Sequence, residues 1–331
     1  MSIKSYLKIV RLPDLIFIAF IQYAMYRAII IPLLMTGGFD DISNYVHLGL
    51  LILSTVFIAA GGYVLNDYFD VKIDRINRPD KMIVDKEIPR RKALIYYQIL
   101  TAIGIICGLI LSWWAKSFTL GLIFIITPGL LWFYSSSYKR QLLIGNLVVA
   151  FLSAICILLP SIMELAFLKI QYGNLIYQTP LPKKIYSWTS GFAFFAFLCT
   201  FIREIIKDME DIEGDKELEC RTLPIVWGMQ RTKNLIYLLI IFVIVSLMLT
   251  YNFLIPFQGT FTLKYIIFGL IIPFFCLAFL IAKSKSQKDF HQAATFLKII
   301  MLIGVLYSFV FYFLEAKEFN IPFFNVFISS Q

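Results

Sequence analysis

Six aspartates stand in two groups whose spacing repeats: Asp67, Asp70 and Asp74, then Asp208, Asp211 and Asp215. Offsets of three and seven residues bring side chains onto one face of an α-helix, at about 100° per residue. Carboxylates stacked there repel one another unless a cation lies between them. A donor set of oxygens alone, with no Cys or His at ligand spacing, suits a hard ion such as Mg²⁺ and not zinc. Mg²⁺ keeps several of its waters and is commonly shared between carboxylates and phosphate oxygens. Two acidic helix ends turned toward each other therefore make a clamp for a diphosphate. A solvated, charged loop is the plain alternative for one such cluster. Two clusters with one spacing argue against it.

Polar and basic residues gather beside both groups. Asn66 precedes the first and offers a neutral oxygen for orientation or metal ligation. Arg75-Ile76-Asn77-Arg78-Pro79-Asp80-Lys81 follows it, and Arg203 and Lys207, one turn apart, precede the second. Arg78, Lys81, Lys139, Arg203 and Lys207 are the candidates for contact with diphosphate oxygens or for holding the aspartates. Each also has an ordinary explanation as a basic anchor at a membrane surface.

The elements that must carry these residues are membrane helices. Of 331 residues 60% are hydrophobic and 15% charged, with mean hydropathy +0.79, too little polar surface for a soluble domain of this length. Apolar runs near 14–35, 47–67, 94–113, 118–134, 145–165, 187–206, 234–255, 263–282 and 294–315 predict nine spans, the weakest boundary being the polar break 114–117. The expected fold is an all-α integral membrane protein: about nine transmembrane helices, a single domain over 1–331, around a central cavity open to the cytoplasmic side. Residues 1–15 form a short basic amphipathic lead-in to a retained first span. Lys and Arg set the orientation, because 23 of 30 fall on the side that holds the lead-in and both aspartate groups. That asymmetry places the N-terminus and the motif loops in the cytoplasm, in the cytoplasmic membrane of the cell. The five cysteines are scattered and give neither a disulfide framework nor a ligand spacing.

With those residues in view, the chain resembles the UbiA superfamily of intramembrane prenyltransferases. Asn66 to Asp74 is similar to that family's first motif, N-D-x-x-D-x-x-x-D. Asp208 to Asp215, running on to Thr222-Leu223-Pro224, is similar to its second. Tyr134-Ser135-Ser136-Ser137-Tyr138-Lys139-Arg140 followed by Gly145-Asn146 gives a third match, and the likeness covers essentially the whole chain. One departure is Glu219, where the family usually has glycine. A changed loop conformation is expected there, with metal binding intact.

The resemblance implies Mg²⁺-dependent transfer of a prenyl group from a polyprenyl diphosphate to a lipophilic acceptor. Asp67, Asp70, Asp74, Asp208, Asp211 and Asp215 would hold the metal, and Tyr134 and Lys139 would assist at the leaving group or the allylic cation. The segment Ile73–Asp80 looks like the ether-lipid branch, in which a geranylgeranyl group passes to a prenylglycerol phosphate, and also like the chlorophyll-synthase branch. An aromatic acceptor of quinone biosynthesis is the alternative. A cation-coupled transporter, or a cyclase or diphosphatase using the same ionisation, would be further classes. A transporter would place its acidic groups near the bilayer midplane on broken helices. The bilayer is the expected partner, with no nucleic acid and no obligate protein. Arg27, inside the first span, is expected to pair with Glu164 or to meet the acceptor, and His47 and His291 are expected to lie at the interface.

Overall fold

The computed structural model describes all residues except 1–2, 40–43, 78, 254, 256–259, 325 and 328–331. Its helices are α1 (Ile3–Ile9), α2 (Leu12–Met25), α3 (Ile31–Thr36), α4 (Tyr45–Asn77), α5 (Arg90–Trp114), α6 (Phe118–Ser136) and α7 (Ile144–Tyr172). The series continues with α8 (Leu181–Glu210), α9 (Ile212–Glu217), α10 (Leu223–Val226), α11 (Met229–Phe253), α12 (Thr260–Lys264), α13 (Ile272–Lys283) and α14 (Gln287–Phe319). Two π-helical stretches, Tyr26–Ile30 and Tyr265–Ile271, join α2 to α3 and α12 to α13 into continuous rods. Among the described residues, nine helical segments are long and apolar enough to cross a membrane, one at each expected span.

Local chemistry sets where the helices begin. Ser117 Oγ accepts the Leu120 N–H at α6, and Ser286 with Asp289 closes a capping box at α14. Arg11, in the left-handed region at φ 53°, turns the chain between α1 and α2. Helix α1 packs through Ile9 and Val10 into an apolar cluster with Val71, Val84 and Ile88, and Tyr6 meets the Tyr96 ring edge-on at 5.0 Å. The basic lead-in is thereby fixed against the end of the bundle that bears the motifs, hereafter the motif end.

Length positions the first motif. Helix α4 has 33 residues, about 50 Å at 1.5 Å per residue, against about 30 Å of hydrocarbon. Its last turns project beyond the apolar layer and carry Asp67, Asp70 and Asp74 on unbroken helix. The second motif behaves differently. Helix α8 ends at Glu210, Asp211 (φ −98°, ψ 12°) forms the corner, and α9 restarts at Ile212. The continuous helical face expected across Asp208, Asp211 and Asp215 is therefore broken at its middle member. The Asp211 N–H bonds the Lys207 carbonyl at 2.9 Å and the Asp215 N–H bonds the Asp211 carbonyl at 3.1 Å, so the helical pattern runs up to the corner and restarts from it.

Three peripheral segments make contacts that sequence position does not reveal. Arg27 lies with its guanidinium 5.4 Å over the Phe324 ring, and Glu164 is fully buried. His291 finds a non-local partner, its Nδ1 3.0 Å from Glu210 Oε1, whereas His47 stacks on Phe167 at 4.1 Å. The segment after α14 folds back: Tyr312 hydroxyl donates to the Pro322 carbonyl at 2.8 Å, and Phe323 packs on the Tyr312 ring.

Candidate active site

A cavity of about 300 Å³ opens within the bundle between α2, α4, α6, α7, α8 and α14. Its walls are mostly apolar (Phe17, Ile21, Phe124, Leu131), and its polar lining gathers toward the motif end. Of the residues singled out in the sequence, Asn66, Tyr134, Arg203 and Lys207 line it. Arg11, Asp14, Tyr63 and Glu204 join them without having been singled out.

The six motif aspartates are outside that lining, Asp67 following Asn66 on α4 and Asp208 following Lys207 on α8, and several are already engaged by the protein. Asp67 Oδ1 accepts from Arg11 Nη2 at 2.9 Å. Asp70, 7% exposed, pairs with Lys139 and accepts from Asn66 Nδ2 at 2.8 Å. Asp208 Oδ2 accepts from Asn146 Nδ2 at 2.8 Å. Among the described residues no three acidic, His or Cys side chains converge as a ready metal-binding group, so the expected stacking around one ion is not preformed. Paired cations explain why: a carboxylate this enclosed needs positive charge or donors, and Arg11 and Lys139 supply them. Arg203 and Lys207, expected on diphosphate or aspartates, both hold Glu204, at 2.9 and 3.0 Å. Arg78 and the side chain of Lys81 lie outside the described residues.

Two contacts fasten the motifs to one another. The Asn77 side chain, at the last residue of α4, donates to the Asp211 carbonyl at 3.1 Å and accepts the Gly214 N–H at 2.9 Å. Gly214 has no Cβ for a reason, since one would lie 2.7 Å from Asn77 Nδ2. Across the site, the turn holding Lys139 sits on the start of α7, where a Cβ at Gly145 would come 2.6 Å from the Lys139 Cα. The Arg140 carbonyl then accepts the Arg221 N–H at 2.9 Å, tying that turn to the segment after the second motif.

Burial moves two ionisations in opposite senses. The Asp215 carboxyl is pushed up to about 6 by burial and then by the neighbouring Asp211 charge. Burial lowers the Lys139 ammonium to about 8, against attraction from Asp215 and Asp211. Near neutrality both groups are charged.

Glu219 closes α9 in the left-handed region at φ 56°. The Cys220 N–H bonds the Asp215 carbonyl at 2.9 Å and the Glu219 N–H bonds the Lys216 carbonyl at 3.2 Å, a Schellman turn with Glu219 at its C′ position. Glycine adopts that backbone at no cost, which is the physical reason to expect it there. The departure places strain at one residue. Glu219→Gly is expected to raise stability by about 1 kcal/mol with activity preserved, read by thermal unfolding of the purified protein.

Among the described residues, nine long apolar helices around a largely apolar cavity define a multi-pass integral membrane protein. The chain belongs to the UbiA prenyltransferase family, whose pattern spans residues 25–313, and is accordingly a prenyltransferase. It is 36% identical to a digeranylgeranylglyceryl phosphate synthase of Methanosphaera stadtmanae over 75% of this chain and 82% of that one. It is 30% identical to the synthase of Saccharolobus solfataricus over 92% and 96%. A solved structure of digeranylgeranylglyceryl phosphate synthase superposes with TM-score 0.61 at 25% identity, covering 93% of this chain and 98% of that one. The fold is shared with a UbiA homologue from Archaeoglobus fulgidus bound to GPP and Mg²⁺, with TM-score 0.58 at 17% identity over 93% and 99%.

Proposed function

We propose that the protein transfers a geranylgeranyl group from geranylgeranyl diphosphate to the free hydroxyl of a geranylgeranylglyceryl phosphate, the reaction of a digeranylgeranylglyceryl phosphate synthase in ether-lipid biosynthesis. The observation that carries this is the 36% identity with such a synthase across 82% of its length. The allylic carbon–oxygen bond breaks, a new ether bond forms at that carbon, and diphosphate and a proton are the other products. An aromatic acceptor is the competing outcome.

The donor set fits Mg²⁺. Asp67, Asp70, Asp74, Asp208, Asp211 and Asp215 with Asn66 are hard oxygen donors at facing helix ends, and the cations on Asp67 and Asp70 mark where positive charge is needed. Bound there, Mg²⁺ would neutralise the diphosphate as its bond to the allylic carbon ionises. Lys139 is placed to move from Asp70 to a diphosphate oxygen, and Arg11 to release Asp67 when that charge arrives. Arg78 and Lys81 are proposed as further diphosphate contacts, on sequence position alone. Tyr134 sits in the cavity wall where its ring and hydroxyl can face the leaving group or the allylic cation. The apolar walls hold the isoprenoid chains and keep water from the cation. The excess of basic residues on the motif side supports a cytoplasmic active site.

Purified protein with geranylgeranyl diphosphate, Mg²⁺ and a panel of acceptors, read by mass spectrometry, tests the assignment. Product from geranylgeranylglyceryl phosphate is expected. Product only from hydroxybenzoate or dihydroxynaphthoate overturns it.

The raised Asp215 carboxyl gives a pH signature. A proton on Asp215 competes with the metal, so Mg²⁺ affinity of metal-free protein is expected to fall as pH drops through about 6. Calorimetric titration checks this, and in Asp215→Asn the fall through that range should be shallower.

A further inference from the structure

Arg203, Glu204 and Lys207 line the cavity on the stretch of α8 leading inward from Asp208. Glu204 is 6% exposed and receives Arg203 Nη1 at 2.9 Å and Lys207 Nζ at 3.0 and 3.3 Å. The other charges of the lining are matched one to one: Arg11 with Asp67, and Asp14 with Lys298 at 2.8 Å. Within the lining the Glu204 group alone keeps one positive charge in excess, with the Asp208 carboxylate next along α8 held by the neutral Asn146. Its capacity is also unspent, since a guanidinium carries five N–H donors and Arg203 Nε is buried with no hydrogen-bond partner. Excess positive charge and an unpartnered guanidinium N–H on the wall of a membrane cavity call for an anion.

Depth separates Arg203 from the leaving diphosphate, and Lys207 stands between the two levels. At 1.5 Å rise per residue, Lys207 and Arg203 lie about 1.5 and 7.5 Å further into the bundle than Asp208. Diphosphate drawn to the aspartates sits above them, with its reacting carbon toward the cavity. A nucleophile approaches that carbon to about 3 Å. In a prenylglycerol phosphate the phosphate is on the carbon next to the reacting hydroxyl, and it then falls beside Arg203 and Lys207.

We infer that Arg203 and Lys207 are the seat for the acceptor's anionic headgroup, and that Glu204 is a positioning residue aligning the two cations. The inference deepens the acceptor reading above and rests on it. Phosphate and aromatic carboxylate share the chemistry the seat recognises, and the test separates them.

Steady-state transfer is measured with geranylgeranylglyceryl phosphate and with its phosphate-free alcohol. Arg203→Gln and Lys207→Gln are expected to raise KM for the phosphate acceptor roughly tenfold or more, to move KM for geranylgeranyl diphosphate by less than about threefold, and to erase the wild-type preference for phosphate over alcohol. Lys207→Arg should retain the preference, and Glu204→Gln should weaken it with the protein still folded. KM rising for the diphosphate instead, or equal losses with both acceptors, overturns the inference. Wild-type protein that uses only an aromatic acid would defeat the acceptor reading separately. The same comparison on hydroxybenzoate against phenol then decides the seat: a lost preference for the acid supports it, and an unchanged preference overturns it.

Discussion

Asp67→Asn and Asp211→Asn are each expected to lower prenyl transfer by roughly 10²- to 10³-fold or more, the scale of removing one preorganised stabiliser of transition-state charge. Asparagine keeps the shape of the side chain and removes the charge that would hold a divalent ion. The fold should survive. Asp67 is largely enclosed and holds Arg11 at 2.9 Å, and asparagine keeps an oxygen there to accept from the guanidinium, which limits the loss of stability. At Asp211 the backbone carbonyl, which asparagine retains, makes the contact to Asn77. Thermal unfolding and elution profile should therefore match wild type while activity collapses. Chelation of wild-type protein should reproduce the loss, and added Mg²⁺ should reverse it. Near-normal Mg²⁺-dependent turnover in both variants would remove the aspartates from the metal site.

Nine spans are legible in the sequence because the bilayer demands long apolar runs, and a helix satisfies its own backbone locally. The first aspartate group is legible for a related reason: its spacing and its continuous helix are both short-range facts. The second group has the same spacing, and the bend at Asp211 cannot be seen in it, because the bend depends on a side chain 134 residues away, Asn77. Arg11 is concealed differently. Its charge is fully accounted for by a membrane-surface lead-in, so nothing in the sequence asks for the partner Asp67, 56 residues on. Glu204 reads as one more charge in an acidic run until the cavity shows which way it faces. His291 and Arg27 follow the same rule, since both have partners set by packing of distant segments. The glycine expected at Glu219 is the converse case. The C-terminal turn of α9 is local, so the resemblance already singles out the residue, and the structure adds that it is strained.

The link between the two motifs makes a second large effect expected: Asn77→Ala should lower kcat/KM roughly 10²-fold, as a displacement of about 1 Å at reacting groups does. Asn77 makes no contact in the cavity lining. It holds α4 to the corner at Asp211 through one donated and one accepted hydrogen bond, and the Gln287 side chain reaches its carbonyl at 3.3 Å. Losing both side-chain bonds leaves the Asp211 carbonyl and the Gly214 N–H without their partner, a cost of about 2 kcal/mol. Gly214→Ala should act through the same notch, because its Cβ would stand 2.7–2.8 Å from the Asn77 amide atoms and push that side chain out. The two substitutions must then be strongly non-additive. With alanine at 77 the notch is vacant, and Gly214→Ala should add little to the loss already incurred. Paired kcat/KM and unfolding measurements on both single variants and the double variant decide the matter. Additive effects, or wild-type kcat/KM in Asn77→Ala, would mean that the motifs keep their spacing without this bridge and that packing of α4 against α9 is sufficient to hold the clamp.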